Sequence, residues 1–100
     1  MKEIKHYVEQ IKDELEVAEE YAKIAAKLKT ENATNSGEYA EMARQELNHV
    51  DRIHKMAVRA IEKSRADGIL PPPAMQAVWD WEHDKMMDKV ARIKMLLSMT

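Results

Sequence analysis

Glu46 and His49 stand three residues apart in the segment ARQELNHVDRI (43–53). Residues at that spacing are neighbours on an α-helix, so both side chains can reach one ion. On the same helix Ala43, Leu47, Val50 and Ile53 fall on one side, and Glu46 falls in the middle of that side. An ionised carboxylate aimed at a core costs several kcal/mol unless something compensates it. A bound cation would do so. Carboxylate oxygen combined with imidazole nitrogen suits iron, manganese or zinc better than calcium or magnesium. Taken alone, the spacing fits a boundary Glu–His pair equally well.

Two further glutamates share this inward placement. Glu82 is central on an apolar stripe, bracketed by Trp79 and Met86. Glu14 lies at the edge of another, in the row Tyr7, Glu14, Tyr21, Leu28. Lys85 and Lys89 flank Glu82 and offer it a metal-free neutralisation. His83 lies beside the stripe and reads as a boundary histidine or a further ligand. His6 and His54 read as surface or boundary residues. The acids Asp13, Glu16 and Glu20 share a side with Lys23 and Lys27, and read as a solvated face. Trp81 points away from the Trp79 side, which marks a partner surface.

Composition narrows the function classes. The 100 residues make one domain with room for a modest core. Lys plus Arg number 16 against 18 Asp plus Glu, so the basic footprint of a nucleic-acid binder is missing. With no cysteine, disulfides, thiolate metal sites and cysteine nucleophiles are excluded, which fits the cytoplasm. No apolar run approaches the ~18 residues of a membrane span. The start, MKEIKHYVEQ, carries charges every few residues and does not read as a signal peptide. The three serines lie in no nucleophile elbow, and two isolated glycines make no phosphate loop.

The elements that position these residues are helices. Ala, Glu, Lys, Met and Leu dominate, and all are good helix formers. TENATNSG (30–37) reads as a turn, with Asn35 and Glu38 in the form of a capping box. RADGILPPPA (65–74) ends one helix at Gly68 and starts another near Pro73. The chain is therefore all-α, with helices over about 2–30, 36–66 and 73–98. The short first connection makes the first two an antiparallel hairpin. The expected stripes are Ile4, Val8, Ile11, Leu15, Ala18, Ala22, Ala25; then Tyr39, Ala43, Val50, Ile53, Ala57, Ile61; then Met75, Trp79, Met86, Val90, Ile93, Leu97. The eight methionines read as core filler.

Glu14 followed by Tyr21, and Glu46-x-x-His49 roughly thirty residues later, resemble the ligand pattern of the ferritin-like superfamily. That group includes ferritins, rubrerythrins and short relatives such as encapsulated-type ferritins and small bacterial and phage ferritin-like proteins. The resemblance covers the first two helices, about two thirds of the chain. It implies a ferritin-like helical bundle with a carboxylate-bridged di-iron or di-manganese site and, in active members, ferroxidase or peroxidase chemistry. It also implies that Tyr21 and Tyr39 orient the carboxylates by hydrogen bonds. A complete site of this class draws a Glu from each of two helices and Glu-x-x-His from each of the other two. This chain has one such motif, and Lys85 stands three residues after Glu82 where a histidine would be needed.

The resulting expectation is a metal-binding protein, for iron or manganese, with Glu14, Glu46, His49 and Glu82 as ligands. Glu20 is the alternative to Glu14: if the first turn centres near Ala33, Glu20 comes nearer the level of Glu46, whereas an early end to the first helix favours Glu14. Two hairpins in a homodimer would complete a four-helix core and bring together two Glu14 and two Glu46-x-x-His49 units. Nucleic acid and membrane are not expected partners. The competing expectation is a non-enzymatic helical interaction module on the same fold, without a catalytic metal.

Overall fold

The computed structural model describes residues 2–69 and 73–100. Three α-helices make up the described chain: α1 (Lys2–Leu28), α2 (Ala33–Ala66) and α3 (Pro73–Ser98). The molecule is a rod of 55 × 18 × 17 Å. That length follows from α2, since 34 residues at about 1.5 Å each span about 51 Å. Among the described residues no helix is long and apolar enough to cross a membrane.

The first turn is tighter than the sequence suggests. Asn32, not Asn35, caps α2: its side-chain oxygen accepts the Asn35 N–H at 3.0 Å. Asn32 has the same capping chemistry one turn earlier, and starting there adds a helical turn that the Asn35–Glu38 box would forgo. The Asn32 N–H in turn donates to the Leu28 carbonyl at 2.8 Å, closing α1 early. Beside the turn, the buried Ser36 hydroxyl donates to the Ala25 carbonyl at 2.6 Å and ties the two helices together.

α2 ends as its sequence predicts. Gly68 takes φ +77°, the left-handed region that L side chains avoid. Its N–H donates to the Arg65 carbonyl at 3.0 Å, and the Ile69 N–H to the Ser64 carbonyl at 2.7 Å. This pair of bonds is the Schellman closure of a helix C-terminus.

The core lies along the α1–α2 seam. Ala18, Ala22 and Ala25 of α1 and Ala40 and Ala43 of α2 are buried, and such small residues let two helices approach closely. Ile11, Leu15 and Ile93 are the largest side chains wholly removed from water. α3 lies along one side of the hairpin. It packs mainly on α1, touches α2 lightly, and buries Met86, Ile93 and Leu97. Of the expected stripes, Val8, Tyr39, Ile61, Trp79 and Val90 are half-buried, and Ala40 and Ser36 join the core unforeseen. The Met75 side chain lies outside the described residues.

Candidate metal centre

The turn sets the register of the hairpin. Glu14 lies 14 residues before Leu28, and Glu46 lies 13 residues after Ala33. The early end of α1 thus brings Glu14, rather than Glu20, level with Glu46. Two turns nearer the loop the same register pairs Tyr21 with Tyr39, ring centroids 5.9 Å apart. Glu20 is exposed and takes no part.

His49, one turn beyond Glu46, completes a group. Its Nδ1 lies 3.7 Å from Oε2 of Glu14 and 3.7 Å from Oε2 of Glu46. One ligand atom from each of the three residues falls within 4.8 Å of the other two. The side chains grade from 52 % exposed for His49 through 32 % for Glu14 to 21 % for Glu46. The group is therefore open on its histidine side and closed on its Glu46 side. Oε2 of Glu46 is sealed from water and has no hydrogen-bond partner among the described residues.

A lone buried carboxylate oxygen facing a second carboxylate is unfavourable without a positive charge between them. At metal–donor bonds of about 2.1 Å, adjacent donors stand about 3 Å apart in an octahedral shell. Donors 3.7 Å from the His49 nitrogen, and within 4.8 Å of one another, must draw in by side-chain rotation to reach that spacing. Two carboxylates and one imidazole make a mixed O/N set of the kind that iron, manganese and zinc accept. Three protein ligands also leave coordination positions free.

Glu82 is not part of this group. Its Oε2 lies 2.9 Å from Lys12 Nζ, and its Oε1 lies 3.9 Å from Lys85 Nζ. The residue is 9 % exposed, and its charge is offset by an ion pair inside the α1–α3 contact, although Oε2 makes no hydrogen bond among the described residues. Lys12 and Glu14 are two residues apart, a rotation of about 200° on an α-helix, so they leave α1 on opposite sides. The α3 side of the hairpin thus holds Glu82, while Glu14, Glu46 and His49 occupy the side that α3 leaves open. Of the two flanking lysines, only Lys85 approaches Glu82. Lys12 escaped notice because its partner lies on another helix. Its place between Val8 and Leu15, on the flank of the α1 stripe, was the signal.

The remaining sequence candidates sort by side. His83 and His54 face each other across α2 and α3, with ring centroids 5.1 Å apart. His6 is exposed. Trp81 is 62 % exposed, as its outward position predicted, with Lys85 Nζ 3.8 Å from its ring centroid. Tyr21 and Tyr39 pack on the core. The hydrogen bonds of the described residues include none from either hydroxyl to Glu14 or Glu46.

Comparison with protein-family models, with curated proteins and with solved structures gave no match.

Proposed function

We propose that the chain binds a transition metal, iron or manganese, through Glu14, Glu46 and His49. One observation carries this reading: three donors from two helices converge within 4.8 Å, and among them a Glu46 oxygen is sealed from water and has no hydrogen-bond partner among the described residues. The sequence resemblance to the ferritin-like superfamily supports the same residues. On that reading the metal would handle Fe(II), oxygen or peroxide.

The open side of the hairpin supports a shared site. Val17 and Met56 are exposed there and Tyr7, Tyr21 and Tyr39 are half-buried. A second hairpin related by a two-fold axis would cover this surface. It would also add a second Glu14 and a second Glu46-x-x-His49, the complement of a four-helix di-metal protein. Light scattering coupled to size-exclusion chromatography, with and without Mn(II), tests the assembly. A dimer, or an oligomer built from dimers, with two metals per pair is expected. A monomer that binds one ion per chain would replace the shared site with a mononuclear one.

A second reading rests on the 3.7 Å approach of His49 Nδ1 to both carboxylates. A protonated His49 would itself supply positive charge there, and the open face would serve as a metal-free interaction surface. Under this reading Mn(II) changes neither mass nor melting temperature. Under the leading one it raises the melting temperature, and Glu46→Ala or His49→Ala removes the rise.

A further inference from the structure

A second group of potential ligands lies on the other side of the hairpin and shares no residue with the carboxylate centre. His54 of α2 and His83 of α3 have ring centroids 5.1 Å apart. Trp79 completes a triangle of rings, 6.2 Å from His54 and 6.1 Å from His83. His54 follows His49 by five residues, a rotation of about 140° from it, so the two histidines serve different faces of α2.

Three features of this pair fit ligation. The first is spacing. With metal–nitrogen bonds of about 2.0–2.1 Å, each imidazole centroid stands about 3.2 Å from the ion, so two ligands at a tetrahedral angle have centroids about 5.2 Å apart. The observed 5.1 Å matches that separation. The second is an unused nitrogen: Nε2 of His54 is sealed from solvent and has no hydrogen-bond partner among the described residues. The third is nearby negative charge. Asp51, one turn before His54, and Asp84, whose Oδ1 lies 3.9 Å from His83 Nδ1, supply negative charge nearby.

We infer that His54 and His83 form a two-histidine clip for one borderline-soft divalent ion, of the copper, nickel or zinc class, between α2 and α3. Imidazole without a carboxylate in the pair separates this site chemically from the Glu14–Glu46–His49 centre. Water completes the coordination on the exposed side of His83. Because α3 otherwise touches α2 only lightly, the ion would fasten the third helix to the hairpin.

Trp79 supplies the readout. Cu(II) is the probe, since it binds nitrogen sites most tightly among the divalent first-row metals and quenches an adjacent indole. The experiment uses full-length protein carrying Trp81→Phe, so that emission comes from Trp79 alone. Quenching that saturates at one Cu(II) per chain is expected, and it should persist when Glu46→Ala and His49→Ala are added. Either His54→Gln or His83→Gln should abolish it. His83 lies at the edge of the bundle, so its variant reports even if the His54 variant does not fold. Electron paramagnetic resonance of the first equivalent should show two imidazole nitrogens on copper, a pattern lost in each single variant. Absence of quenching in the parent protein, or quenching unchanged in the folded His83→Gln variant, would overturn the clip.

Discussion

Glu14 and Glu46 stand level across the α1–α2 hairpin, each presenting a carboxylate oxygen 3.7 Å from the same His49 nitrogen. The level depends on the turn: α1 stops at Leu28 and α2 starts at Ala33. The two acids also differ in exposure, and the difference has consequences for stability.

Glu46 is the more enclosed, with one oxygen that has no hydrogen-bond partner among the described residues. Without metal, neutralising it should relieve that cost. Glu46→Gln or Glu46→Leu is expected to stabilise the metal-free protein by roughly 1–4 kcal/mol, the range for enclosed charges replaced by neutral groups. Urea denaturation in the presence of a chelator measures it. A loss of stability in both variants would mean that the carboxylate is already well compensated by the protein.

Glu82 should behave in the opposite sense. Lys12→Met removes its 2.9 Å partner and leaves only Lys85 at 3.9 Å. Because Lys12 is itself half-exposed, the loss should be about 1–2 kcal/mol rather than that of a fully buried pair. Adding Glu82→Met should recover most of it. A double-mutant cycle by denaturant titration gives the coupling, and strictly additive effects would refute the pairing.

Most of the architecture was legible in the chain, because the stripes and the turn chemistry agree. Gly68 marked the end of α2 through its need for positive φ, and the alanine positions of α1 marked the seam. The start of α2 was misplaced because Asn32 and Asn35 carry the same capping chemistry three residues apart. Only the closure of Asn32 onto Leu28 decides between them, and that closure in turn chooses Glu14 over Glu20. Glu46 and His49 were legible because their spacing lies within one helix. The place of Glu82 outside the Glu14–Glu46–His49 group was not legible, because its partner, Lys12, belongs to another helix and the stripes alone carry no information on how α3 is rotated against α1. The His54–His83 meeting was hidden for the same reason.

His54 gives the protein a pH response. Its folded pKa is lowered, chiefly by burial, so in the acid range the unfolded chain takes up a proton that the folded chain refuses. Stability is then complete above the unfolded value of about 6.5 and declines as pH falls from there toward the lower folded value. Melting temperatures between pH 7.5 and pH 5 should fall more steeply in the wild type than in His54→Phe. Parallel curves would show that another group governs this window.

The hairpin tie at Ser36 carries a smaller stake. Its hydroxyl donates to the Ala25 carbonyl from a buried position, so Ser36→Ala should cost about 1 kcal/mol. The variant should keep the overall helical circular dichroism signal. A neutral effect in thermal melts would show that the Ala25 carbonyl is satisfied by its own helix alone.

The most direct test of the metal centre is anaerobic calorimetric titration of the metal-free wild-type protein with Fe(II), and separately with Mn(II), at neutral pH. Saturable, stoichiometric binding is predicted for the wild type and for Glu82→Gln, and its loss is predicted in Glu46→Ala and in His49→Ala. Binding of neither metal by the wild type, or binding that survives both of those losses, would contradict the assignment of Glu14, Glu46 and His49 as ligands.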